Sequence, residues 1–212
     1  MFERAHGWRL AATLRGSATR AGSSFGAAVA TDAKSISVGA PGEGSGAAYV
    51  FARLEGTWAE QARVAWSDAV PYGQLGMSVA IDGDAMAIGS TGELGSVDIY
   101  SRVSEAWTWQ SSPEDRRRWR ATSLDLVEDR LWIGNPGWFS TSGRVRVWRR
   151  RATGWQVEAE LEPGLASFGA SIAAHGDTLI VGEWDDRRRS EAGAVFRYTL
   201  TAGKWSRAQR LY

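Results

Sequence analysis

The chain has 212 residues and no cysteine, and its 25 basic and 24 acidic side chains leave a formal net charge of +1 at pH 7. This length supports a substantial core, the missing thiols exclude a disulfide framework or thiolate metal site, and the charge balance lacks the basic excess of an overall nucleic-acid footprint. No stretch approaches the roughly 20 apolar residues that span a bilayer, and the opening Met1-Phe2-Glu3-Arg4 has neither the basic start nor the apolar core of a signal peptide.

The predicted elements follow a repeat. Trp8, Trp58, Trp107, Trp155 and Trp205 are spaced by 50, 49, 48 and 50 residues. Repeats of this length point to propeller blades or related arrays, in which each unit buries its apolar face against its neighbours. The chain opens with a partial unit, residues 1–16, where Phe2 and Trp8 mark two short strands. Full units follow at about residues 25–64, 75–111, 120–162 and 168–212.

Each full unit reads as four strands, a to d. A small residue (Gly26, Gly76, Ala121, Gly169) comes first, and strand a follows it, as in Ala27-Ala28-Val29-Ala30. A turn signal comes next: Thr31-Asp32-Ala33, Asp82-Gly83-Asp84, Glu128-Asp129 or His175-Gly176-Asp177. Strand b is a short apolar run ending in Gly39, Gly89, Gly134 or Gly182. Strand c follows as Ala48-Tyr49-Val50-Phe51 and its counterparts, and strand d carries the periodic tryptophan. Short runs flanking such turns predict hairpins, and no helical period is sustained. The expected fold is one all-β domain, a β-propeller of four-stranded antiparallel blades.

The five periodic tryptophans are expected to pack between blades. A ring burying roughly 150–250 Å² contributes on the order of 4–6 kcal/mol as an upper bound. The strand inventory is odd, because c–d pairs occur five times and a–b pairs four times, about 18 strands in all. The expectation is a small ring of four or five blades, or an open array completed by self-association that covers its edges. A piece of a larger ring of about seven blades is the other reading.

The run Phe25-Gly26-Ala27-Ala28-Val29-Ala30, then Val38-Gly39-Ala40-Pro41 and Ala48-Tyr49-Val50-Phe51, resembles an FG-GAP repeat. Phe168-Gly169 through Val181-Gly182 to Val195-Phe196 resembles a second good copy, and the units between are degraded, with Gly89-Ser90-Thr91 and Gly134-Asn135-Pro136 in place of Gly-Ala-Pro. The resemblance covers essentially the whole chain. It implies the blades of integrin α-subunit propellers and bacterial surface proteins, an adhesion-type role, and a secreted or cell-surface location. Many members carry an Asp-rich calcium loop between strands a and b. Calcium needs about six to eight oxygen ligands, whereas Asp82-Gly83-Asp84 reads as a turn former. No metal or other cofactor is expected.

In a four-stranded meander the b–c and d–a loops emerge at one end, and loops on a rigid scaffold are common carriers of function. Trp66, Tyr72, Trp119, Trp138, Trp184, Asp185, Asp186 and Arg187 fall in these loops, outside the periodic set, and are the candidate ligand-binding residues. The clusters Arg116-Arg117-Arg118, Arg149-Arg150-Arg151 and Arg187-Arg188-Arg189 read as solvated loops, with Glu114-Asp115 and Asp185-Asp186 beside two of them. No catalytic group is assigned: His6 and His175 lie in turns, and Glu183, Asp185 and Asp186 sit in one loop without the facing geometry of a carboxylate pair. The expected function is non-enzymatic binding of a protein or surface partner at the loop end. The alternatives are a carbohydrate-binding lectin and a self-assembling structural module.

Overall fold

The structure is a computed structural model that describes residues 2–4, 8–66, 72–92, 95–113, 120–137, 142–164, 166–184 and 193–211, without side chains for 2–4 and 8. Among the described residues there are eighteen strands and no helix. β1 (Phe2–Arg4) pairs antiparallel with β2 (Trp8–Leu10). Sheet I contains β3 (Val29–Thr31), β4 (Ser35–Ala40), β5 (Ala47–Leu54) and β6 (Thr57–Ala65). Sheet II contains β7 (Ser78–Asp82), β8 (Ala85–Gly89), β9 (Val97–Val103) and β10 (Ala106–Ser111). Sheet III is built from β11 (Ser123–Val127), β12 (Arg130–Asn135), β13 (Arg144–Arg151) and β14 (Gly154–Leu161). Sheet IV is built from β15 (Phe168–His175), β16 (Thr178–Glu183), β17 (Ala194–Thr201) and β18 (Lys204–Leu211). Each sheet is an antiparallel meander in chain order.

Local chemistry sets the hairpins. Glu55-Gly56, Ser104-Glu105 and Ala202-Gly203 each supply two consecutive positive φ angles, the geometry that matches the twist of the flanking strands. Asp32 Oδ1 accepts the backbone N–H groups of Lys34 and Ser35 at 2.7 Å each, closing the first a–b turn from its own side chain. The first strand is shorter than predicted. Ala27 N–H turns back to Ser24 O at 3.0 Å, so β3 starts only at Val29. A feature with no sequence signal is a register shift in the c–d pair of each four-stranded sheet, at Val50/Phe51, Trp109/Ser111, Val147/Trp148 and Arg197/Tyr198. Such bulges bend a strand and raise its local twist.

The innermost strands lie side by side in the order β3, β7, β11, β15, and β3 and β15 share no extensive contact. Between successive sheets lie three apolar cores, and a fourth covers the outward face of sheet I, where Leu14 and Phe25 pack on Ile36, Val38, Tyr49 and Phe51. The periodic tryptophans divide among these cores. Trp58 joins the fourth, Trp107 the I–II core, Trp155 the II–III core and Trp205 the III–IV core. Trp205 meets Trp132 edge-on at 6.3 Å. Trp8 lies in β2, where its side chain is outside the described residues.

The apolar residue before each motif glycine is also core. Leu75 and Phe168 are fully buried, and Phe168 stacks edge-on against Phe196 at 5.6 Å. Gly76 and Gly169 adopt φ of 88° and 90°, and a Cβ at Gly76 would lie 2.1 Å from Ala47 O, so only glycine suits that corner. Ala121 stands at the third such position without a positive φ.

Candidate binding surface at the loop end

The b–c and d–a loops of sheets I and II meet at one end of the array. Leu75 N–H donates to Ser45 O at 3.1 Å, and Gly46 and Leu75 form a parallel bridge that ties the two loops together. On the other side, Thr91 Oγ1 donates to Gln74 Oε1 at 2.8 Å. Gly92 passes so close to Tyr72 that a Cβ there would lie 1.9 Å from the Tyr72 carbonyl oxygen. The turn between these braces carries Tyr72 and Gln74 at φ of 55° and 53°, in the left-handed region. Tyr72 is thereby held outward, 80% exposed, on a backbone fastened from both sides.

Trp66 belongs to the same loop and has a different role. Its Nε1–H donates to Asp98 Oδ2 at 2.6 Å, and its ring packs on the I–II core. Asp98 is fully buried on β9 and also accepts from Trp109 Nε1 at 3.3 Å and from the Ser112 hydroxyl. A buried carboxylate needs such donors to offset its lost hydration. Trp66 therefore anchors the d–a loop. In sheet IV, Trp184, which follows β16 at the start of a b–c loop, is 57% exposed. Trp119, Trp138, Asp185, Asp186 and Arg187 lie outside the described residues.

Beside the first b–c loop, Glu43 joins Tyr49 and Arg63. Tyr49 OH donates to Glu43 Oε2 at 2.5 Å, and Arg63 Nε donates to Glu43 Oε1 at 2.7 Å. Burial, followed by the Glu43 carboxylate that it serves, pushes the Tyr49 phenol above its ordinary value of 10.0. Other arginines are paired within sheet III: Arg130 Nε on strand b with Glu158 Oε2 on strand d at 2.9 Å, and Arg149 Nε on strand c with Asp129 Oδ2 of the a–b turn at 2.8 Å, so the Arg149-Arg150-Arg151 cluster ends a strand rather than forming a loop. Arg116-Arg117-Arg118 and Arg187-Arg188-Arg189 lie outside the described residues.

At the opposite end the innermost strands line a groove of about 550 Å³ containing Val29, Ile81, Leu124 and Ile172. Its carboxylates serve as sheet-to-sheet clamps. Asp32 Oδ2 accepts from Gly83 N at 2.8 Å, Asp82 Oδ2 from Glu128 N at 2.5 Å, and Asp125 Oδ2 from Ala174 N at 2.6 Å. Asp84, the other carboxylate of the richest turn, pairs with Arg102 at 2.8 Å. Among the described residues no group of three or more potential metal ligands converges. These clamps span 46 to 51 residues of sequence. The turn aspartates Asp32 and Asp82 were the sequence trace of two of them, and Asp125, inside β11, had none.

No family model matches the chain, and no curated protein matches it. Among the described residues no helix is long and apolar enough to cross a membrane.

Proposed function

We propose that the chain is a non-enzymatic, FG-GAP-like β-propeller module that binds a protein or surface partner through its b–c/d–a loop end. The observation that carries this reading is Tyr72, an aromatic side chain held 80% exposed on a turn braced from both sides. Aromatic rings on a fixed backbone give large contact area at low entropic cost. Trp184 adds a second exposed ring in a loop of the same class. Among the described residues, Glu43 is engaged by Tyr49 and Arg63 and Asp98 by Trp66, which favours apolar and π contact as the recognition chemistry of this surface.

The test is a protein array probed with the wild-type chain and with a Tyr72→Ala/Trp184→Ala double variant. Tyr72 and Trp184 lie outside the cores, so the variant is expected to keep its melting temperature and to lose about 2 kcal/mol or more of binding. Equal binding by both proteins would overturn the assignment of this surface.

A further inference from the structure

Three sheet-to-sheet contacts share one build, a strand-b glycine against the next sheet's backbone, two of them add a serine hydroxyl, and the two ends of the chain expose the two halves of a fourth. On the giving side, Ser78 Oγ donates to Ala121 O at 2.6 Å and Ser123 Oγ donates to Gly169 O at 2.8 Å, each reaching into the next sheet. Each serine sits opposite a glycine of its own sheet, Ser78 opposite Gly89 and Ser123 opposite Gly134. These glycines admit the next sheet's backbone. A Cβ at Gly39, Gly89 or Gly134 would meet Gly76 O at 1.9 Å, Ala121 O at 2.8 Å or Gly169 O at 2.2 Å.

Sheet IV repeats the giving side. Ser171 lies opposite Gly182, with its hydroxyl 2.2 Å from the position a Cβ would take, as at Gly89 and Gly134. Here, however, the three nearest atoms to that Cβ all belong to Ser171 itself. Among the described residues Ser171 Oγ meets no carbonyl of another sheet. Across from Gly182, Val195 is 37% exposed, whereas its counterparts Ala48, Val97 and Val145 are each 0% exposed beneath the following sheet.

The receiving side is open at the other end of the array. Val79 on β7 is 5% exposed, and its equivalent on β3, Val29, is 69% exposed. The Gly26 carbonyl stands in the position from which Ala121 and Gly169 accept their serine hydroxyls. An apolar groove of about 740 Å³, lined by Leu14, Phe25, Val29, Ile36 and Val38, runs beside it. β3 and β15 share no extensive contact, so the two halves do not satisfy each other within one chain.

We propose that the open face of sheet IV receives β3 of a second copy of this chain, with Ser171 Oγ donating to the partner's Gly26 carbonyl. This inference is independent of the loop-end reading. The contact is head-to-tail, so it closes into a ring if the rotation permits. Arg197 marks a charged departure from the internal contacts, since it replaces Val50, Ile99 and Val147 at the centre of the face. Its aliphatic stem covers apolar surface while the charged head reaches the rim. That makes the contact between copies weaker than the internal ones and dependent on concentration.

The experiment is light scattering behind size exclusion over a range of protein concentrations, with Val29→Asp and Val195→Glu variants. Wild type is expected to reach a discrete multiple of 23.0 kDa. Each variant alone should need about tenfold more protein or greater to assemble, because a carboxylate would be buried unpaired. An equimolar mixture of the two variants should form a 1:1 dimer and nothing larger, since one copy offers an intact sheet IV face and the other an intact β3. Ser171→Glu provides an independent variant on the giving side, and circular dichroism verifies folding. A 23.0 kDa species at every concentration would overturn the proposal. So would variants that assemble like wild type, or a monomer whose melting temperature falls in both variants, since that would mean closure within one chain.

Discussion

Sheets II and IV carry the same repeat and bury it differently. In sheet II, β8 is buried at all five positions, whereas in sheet IV the burial of β16 alternates along the strand. The strands are similar in length and apolar content, and each carries the motif glycine at or one residue before its end. What differs is the neighbour: sheet II lies between two sheets, and sheet IV has one. Burial in such an array is a property of stacking, as expected when each unit contacts only the next.

The strongest way to break this comparison is to shorten equivalent side chains on the two kinds of face. Trp132 of sheet III and Ile180 of sheet IV both stand two residues before the motif glycine, and Trp132 is sealed by sheet IV whereas Ile180 is only half-buried. Trp132→Ala is expected to cost about 3–5 kcal/mol in urea unfolding. Ile180→Ala, measured in dilute solution where copies are apart, should cost about 1 kcal/mol or less. Equal losses would mean that the sheet IV face is covered within a single chain.

A smaller contrast separates the motif glycines. A Cβ at Gly134 would be driven into the Gly169 carbonyl, which is backbone and cannot step aside, so Gly134→Ala should cost about 1–3 kcal/mol. At Gly182 the nearest atom is the Ser171 hydroxyl, which can rotate into solvent. Gly182→Ala should then be within about 0.5 kcal/mol of wild type in dilute solution. Thermal melts of both variants decide the matter, and a large loss at Gly182 would contradict an open face.

Trp66 and Tyr72 sharpen a second comparison, between anchoring and presentation in one loop. Trp66→Phe keeps the ring but removes a donor from buried Asp98, for an expected loss of about 1–2 kcal/mol. Tyr72→Ala should leave the melting temperature unchanged. If the two variants melt alike, the anchoring role of Trp66 fails.

The strand inventory was legible because it rests on local signals: a tryptophan near the start of each strand d, a glycine at or one residue before the end of each strand b, and turn residues between. Contacts between sheets were not. Ser78 finds the Ala121 carbonyl 43 residues away, and Asp82 finds Glu128 N 46 residues away, with no local pattern to mark either. The same gap separated Trp66 from Tyr72. Both are aromatics in one loop, and only Asp98, 32 residues beyond Trp66, turns the first inward. The bulges of the c–d pairs were equally silent, since the extra residue in each is ordinary in type.

The smallest expected effect concerns the link between the last two sheets. Asp125 on β11 reaches Ala174 N in sheet IV, while His175 holds the turn position that Asp32 and Asp82 occupy in sheets I and II. Burial raises the Asp125 carboxyl above its ordinary value of 3.8, against the lowering effect of the Ala174 and Leu126 N–H groups. A raised folded value means that the folded state holds the proton more tightly than the unfolded chain does. This contribution is therefore fully present below 3.8 and is lost as pH rises through the folded value. Asparagine has nearly the same shape, keeps an oxygen acceptor for Ala174 N–H and never ionises. Asp125→Asn should thus gain on wild type as pH rises from below 3.8, and the difference should level off once the wild-type carboxyl has ionised. Parallel unfolding profiles for the two proteins across that range would mean that Asp125 ionises as readily in the folded chain as in the unfolded one. The III–IV clamp would then be as well solvated as a surface turn, and the distinction between sealed and open sheets would rest on the apolar contacts alone.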